Sequence, residues 1–317
     1  MLKKIFISAI LLLAVLCFVV SLLKGRNNSD PTSVSMPDRV AVINISGTIT
    51  SGQESQENVW QQQSGVTSGS IMSQLREAGE DKTVKAVLLN IDSGGGSATA
   101  AEEVGREILR FKESYQKPIV TSMGDMAASA AYWIAACGSD KIYANSTSLT
   151  GSIGVYMPYM NTEELFKKIG ISTRKIKSGP YKDILANDRP MTDDEKQLLQ
   201  DIVNEIHDEF IKVVANGRKM DPYQVRQLAD GRIYTGKQAQ KLGLVDELGN
   251  YYDALKAAGE LGKIKPQKNG LPAVKQQPKS QPWDFILGSE LAKVIKLQLL
   301  QQLSADFNGL QAGNTVR

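Results

Sequence analysis

The chain has 317 residues, 42% hydrophobic and 22% charged, with a formal net charge of +3. That balance sustains a buried core and excludes wholesale disorder. The small charge, with no basic stripe interleaved with aromatics, argues against a nucleic-acid partner. With Cys17, Cys137 and His207 as the only cysteines and histidine, no cluster has metal-ligand spacing, and neither a metal nor an organic cofactor is expected.

Lys3 and Lys4 precede an apolar run from Ile5 to Leu23. As a helix it reaches roughly 28 Å, about one hydrocarbon core. It exceeds the roughly 7–15 apolar residues of a cleaved signal peptide, and no small-residue cleavage site follows. Residues 1–26 are therefore expected to form cytoplasmic lysines and an uncleaved transmembrane anchor. The body would then lie on the extracytoplasmic side of the inner (cytoplasmic) membrane. Because Cys17 falls inside this run, a disulfide to Cys137 is implausible. Residues 27–38 form a polar tether.

Arg39 to Ile45 predicts a strand. Residues 50–68, rich in Ser, Gln and Gly, predict a loop. Val84 to Ile91 is apolar nearly throughout, as expected of a strand covered on both faces. Gly94-Gly95-Gly96 follows, then a helix from Ala98 to Phe111. Pro118 to Met123 predicts a third strand, a second helix begins after Ser129, and Lys141 to Ala144 predicts a fourth strand. Such alternation implies right-handed crossovers and a parallel sheet. Thr192-Asp193-Asp194-Glu195 is a capping box opening a long helix, with Leu199, Ile202, Val203, Ile206, Phe210, Val213 and Val214 as its apolar stripe. His207, at the edge of that stripe, is expected to be a satisfied packing residue. Residues 39–262 make one α/β domain. Residues 263–317 comprise a Pro/Gln/Lys linker and an amphipathic helix from Trp283 to Leu303.

Four segments could carry chemistry. The glycines after the second strand let backbone amides approach a ligand closely. They fit an oxyanion hole better than a phosphate cradle, since neither G-x-G-x-x-G nor G-x-x-x-x-G-K-[ST] is present. Met126-Ala127-Ala128-Ser129 would raise a serine hydroxyl onto a helix N-terminus, the logic of a nucleophile elbow without its G-x-S-x-G pattern. A serine nucleophile needs a base, and nothing around His207 recommends it. Lys182, in Ser178-Gly179-Pro180-Tyr181-Lys182-Asp183, is the alternative. A free lysine titrates near 10.4, so a lysine base must drop by about three units, which an apolar pocket can supply. Ile176, Gly179, Pro180, Ile184 and Leu185 are candidates for that pocket. In Thr150-Gly151-Ser152-Ile153-Gly154, a hydroxyl could orient the lysine.

Together these segments resemble the signal peptide peptidase A family, membrane-anchored Ser–Lys proteases of the Clp protease/crotonase fold. The resemblance rests on Asp92 to Gly96, Met126 to Tyr132, Leu149 to Val155, Ser178 to Asp183, Ala229 to Ala239 and Leu244 to Gly249, and covers about residues 39–260. It implies repeated ββα units around a parallel sheet. Carried over by position, Ser129 is the nucleophile, Lys182 the general base and Ser152 the residue that orients the lysine. Gly96 supplies the oxyanion hole, with the Ala130 amide as second donor. Asp92 and Gly94 stand where the family has Asn and Pro, and Ala130-Ala131 where it has Gly-Gly. Alanine is acceptable there only in a helical conformation. The motifs occur once, as in the family's short form, whose members assemble into rings or domes with serine and lysine from neighbouring subunits.

The implied activity is endoproteolysis of remnant signal peptides and other extended apolar peptides by a homo-oligomer held in the membrane by its N-terminal helix. Two other readings compete. A crotonase-type acyl-CoA enzyme would recruit Glu102 or Glu103 as its acid or base. A non-catalytic membrane scaffold would carry a vestigial site.

Overall fold

The structure, a computed structural model, describes residues 37–52 and 65–276. The expected anchor, the tether to residue 36 and the C-terminal amphipathic helix lie outside the described residues. Among the described residues, no helix is long and apolar enough to cross a membrane.

The domain is mixed α/β, built on a parallel-dominated sheet. Its strands are β1 (Arg39–Thr50), β2 (Gly65–Thr67), β3 (Val84–Gly96), β4 (Ile119–Ala128), β5 (Lys141–Ala144), β6 (Leu149–Gly151), β7 (Ile233–Thr235), β8 (Glu247–Leu248) and β9 (Ala273–Gln276). The helices are α1 (Ser68–Glu80), α2 (Ala98–Tyr115), α3 (Ala130–Gly138), α4 (Glu163–Lys168), α5 (Asp193–Arg218), α6 (Pro222–Leu228), α7 (Gly236–Lys241) and α8 (Tyr251–Leu261). The sheet runs β2-β1-β3-β4-β5-β8, with β6 bridging β4 and β7 and with β9 beside β1. Every pairing is parallel except β6 with β7.

Alternation along the strands divides the core. Val40 and Val42 of β1 and Ala86 and Leu88 of β3 join Ala254, Leu255 and Ala258 of α8 on one face. Ala41, Ile43, Ile45, Val87, Leu89 and Ile91 join the core under α1, α2 and α3 on the other. With both faces covered, these strands read as nearly unbroken apolar runs.

The capping box of α5 forms as expected: Thr192 accepts from the Glu195 amide and Glu195 from the Thr192 amide. Its apolar stripe is only partly used. Phe210, Ile211, Val214 and Ala215 are buried, and Phe210 stacks on Trp133 of α3 with ring centroids 4.9 Å apart. Towards the N-terminus, Leu199 and Val203 are half-buried and Ile202 is exposed, because no element among the described residues covers that half. His207 also departs from expectation: its Nε2 is buried with no hydrogen-bond partner among the described residues. Part of the stretch expected as a linker contributes β9, which pairs with Arg39 to Val42 of β1.

Candidate active site

The site forms where β3 and β4 end side by side. Their register runs from Val87 opposite Ile119 to Ile91 opposite Met123, slips, and resumes with Ser93 opposite Ala127. That slip sets the glycine run alongside the start of α3. Ser129, the residue between β4 and α3, has φ 54° and ψ −125°. Positive φ is disfavoured for any side chain. Neighbours hold the conformation in place. The Ser129 amide donates to the Gly151 carbonyl at 2.9 Å and its carbonyl accepts from Trp133 at 2.9 Å. Thr150 Oγ1 donates to the Ala127 carbonyl at 2.7 Å and Ser148 Oγ to the Gly124 carbonyl at 2.6 Å, locking β6 to β4. The Ser129 hydroxyl makes no capping bond and the residue is only half-buried. It sits at the positive end of a helix, directly before the first residue of α3.

Gly95 backs the serine. A Cβ there would lie 2.8 Å from Ser129 Cβ, 2.9 Å from the Ala128 carbonyl oxygen and 3.0 Å from the Ala130 nitrogen, and its φ is +107°. Sequence reasoning passed over this residue in favour of Gly96, because the contact depends on the register slip. The Gly95 amide is already used: it donates to Ser93 Oγ at 3.0 Å, and that hydroxyl donates to the Gly47 carbonyl at 2.6 Å. The Ser97 amide likewise turns to β1, reaching the Ile49 carbonyl at 2.8 Å. Successive amides alternate between the two edges of a strand, so the Gly96 amide belongs to the other edge, along which β4 runs to Ser129. A side chain at Gly96 would meet the Ile49 carbonyl oxygen at 2.0 Å.

Ala130 and Ala131 are the first residues of α3, and neither has positive φ. The alanines in place of Gly-Gly therefore carry no strain. As the first helical amide, Ala130 N–H has no intrahelical acceptor. Ser152 follows β6 with φ 49°, next to the Gly151 carbonyl that holds Ser129, and its own amide donates to the Arg232 carbonyl at 2.9 Å. Ser129, Ala130, the glycine run and Ser152 thus converge.

Lys182 stands apart. It lies in a run of turns, where its amide donates to the Gly179 carbonyl at 3.3 Å, and the side chain is exposed. The expected apolar pocket is not assembled among the described residues: Ile176 is fully exposed, Leu185 is exposed and Gly179 is open. The segment from Tyr156 to Leu185 adds no strand to the sheet, and α4 within it has no buried residue. The carboxylates that an acyl-CoA enzyme would need are engaged elsewhere. Glu102 pairs with Arg106, and Glu103 accepts from the buried Ser68 hydroxyl at 2.5 Å.

The model of peptidase family S49 matches residues 111–265. A putative protease of Synechocystis is 36% identical over 249 residues, covering 78% of this chain and 83% of that protein. The chain belongs to peptidase family S49. A putative signal peptide peptidase SppA of Enterococcus faecium is 42% identical over 184 residues, 58% of this chain and 53% of its own length. Protease 4 of Haemophilus influenzae is 35% identical over 227 residues, 72% of this chain but 35% of that longer protein.

Proposed function

We propose that this S49 member is a serine endopeptidase with a Ser129–Lys182 dyad, anchored in the inner membrane and working on its extracytoplasmic side. Its substrates would be remnant signal peptides and other extended apolar peptides; its Enterococcus relative is named a putative signal peptide peptidase. The observation that carries the reading is Ser129, held at positive φ between β4 and α3 with no capping bond from its hydroxyl, and packed against Gly95 of the glycine run.

In this scheme Ser129 Oγ attacks the scissile carbonyl carbon while the neutral Lys182 amine accepts its proton. The amides of Gly96 and Ala130 receive the negative charge on the tetrahedral oxygen. Lys182 then returns the proton to the leaving amine, and later takes one from the water that releases the acyl group. Ser152, beside the serine, would orient the amine.

The exposure of Lys182 favours a dyad completed between copies. The segment that carries it exposes Tyr156, Tyr159, Met160, Leu165, Ile169 and Ile176. So dense an apolar surface is a mark of an interaction site. A homo-oligomer would cover it and enclose the lysine. The membrane anchor rests on the apolar run of residues 5–23.

The test is fluorogenic peptide hydrolysis by the detergent-solubilised full chain beside Ser129→Ala. Turnover lost with the serine supports the reading, and equal turnover in both proteins refutes it.

A further inference from the structure

The turns around Lys182 belong to no sheet, and their apolar side chains are largely exposed. Yet the residue next to the lysine is firmly held. The Asp183 side chain is 12% exposed and that of Glu195 3%. Between them lies the Arg189 guanidinium. Its Nε and Nη2 fork onto the two carboxylate oxygens of Asp183 at 3.0 and 2.8 Å. Its Nη1 and Nη2 fork onto those of Glu195 at 2.8 and 2.5 Å. Nη1 also reaches the Pro190 carbonyl at 3.0 Å. Few side chains other than arginine can bridge two carboxylates in this doubly bidentate way.

Glu195 is itself fixed. Its Oε2 accepts from the Thr192 amide at 2.9 Å, which makes it the returning arm of the α5 capping box. The far end of α5 is buried through Phe210 and Val214. A continuous path therefore runs from the core, up α5, through Glu195 and Arg189 to Asp183, and by one peptide bond to Lys182. Lys177 adds a bond to Asp183 at 2.7 Å, and Lys175 pairs with Asp188 and lies 3.6 Å from Asp183. Three cations thus meet three carboxylates, so Asp183 is already satisfied and is not left to capture the neighbouring lysine.

We infer that Arg189 is a positioning residue for Lys182: by clamping Asp183 to Glu195 it fixes the base-bearing turn to the N-terminus of α5. The inference rests on Lys182 being the base. Both carboxyls are held well below the usual carboxylate range, chiefly by their bonds to Arg189, so the clamp stays ionised wherever a neutral lysine could work.

The experiment compares wild type, Arg189→Met, Lys182→Ala and the double variant, as full chains in detergent, using an activated peptide ester and recording each unfolding temperature. A small misplacement of a reacting group can cost about a hundredfold in rate. Arg189→Met is expected to lower kcat by about 10- to 100-fold with KM changed less than about twofold. In the Lys182→Ala background, the same change is expected to alter the residual rate by less than about twofold, because the two residues act as one unit. If Arg189→Met does not fold, Arg189→Lys decides. It keeps the charge but loses the fork, and kcat is expected to fall in the same way. Equal losses with and without Lys182, or a kcat within about twofold of wild type, would overturn the clamp while leaving the base intact. Near-normal turnover by Lys182→Ala would remove the base, and the clamp's role with it.

Discussion

The conformation of Ser129 makes a prediction about stability that runs against the usual sign. Positive φ with ψ −125° is strain of the kind that costs about 1–3 kcal/mol in a residue with a side chain. Ser129→Ala removes the hydroxyl and keeps the strain. Ser129→Gly removes both, at a cost of about 0.5–1 kcal/mol from the greater freedom of glycine in the unfolded chain. The difference leaves Ser129→Gly more stable than Ser129→Ala by about 1 kcal/mol. For a domain of this size that corresponds to about 2–4 °C in Tm. Nothing offsets it, since the serine side chain makes no capping bond. Differential scanning calorimetry of the two full-length variants is the assay. Both are expected to be inactive, so the comparison separates strain from chemistry. If Ser129→Gly melts at or below Ser129→Ala, the serine is not strained as described and the elbow argument fails.

Gly95→Ala is expected to depress peptidase activity and Tm together, because its Cβ would lie 2.8 Å from Ser129 Cβ. Thermal melts and turnover of the variant check this. Glu195 should shape acid stability. Its carboxyl is lowered from 4.5 to about 2, chiefly by Arg189 and then by the Thr192 amide. A depressed carboxyl stabilises the fold above its ordinary pKa, and that contribution is lost as pH falls through the lowered value. Glu195→Gln is thus expected to unfold more readily than wild type at neutral pH, with the gap closing as pH falls from 4.5 towards 2. Urea titrations across that range test it. If the dyad is shared, equal mixing of Ser129→Ala and Lys182→Ala subunits should restore about a quarter of wild-type turnover, the chance that an intact serine faces an intact lysine in a head-to-tail ring. A dyad within one chain restores none.

Much of this organisation was legible in the residues. The first, second, third and fourth expected strands correspond to β1, β3, β4 and β5, because strands covered on both faces advertise themselves as apolar runs. Thr192 was identifiable as a cap because the capping box is a local device. What depended on distant partners was not legible. Strand β6 was not among the expected strands, since its strand character comes from pairing with β4 and β7. Helix α8 lies outside the expected elements although Asn250 and Asp253 form its capping box. At the site, Ser129 and its turn could be found from small residues before a helix. Gly95 could not, because its contact requires the slip between Ile91 and Ser93. The pocket expected around Lys182 failed for a related reason. Apolar neighbours in sequence enclose a side chain only when something packs over them, and among the described residues nothing does.

The central claim is that Ser129 is a nucleophile activated by Lys182. The most direct test is labelling of the full chain with a fluorophosphonate, mapped to its residue by peptide mass spectrometry, in wild type and Lys182→Ala. The account predicts one adduct, on Ser129, forming at least about a hundredfold more slowly without the lysine. A label on another residue, or an equal rate in both proteins, would contradict it.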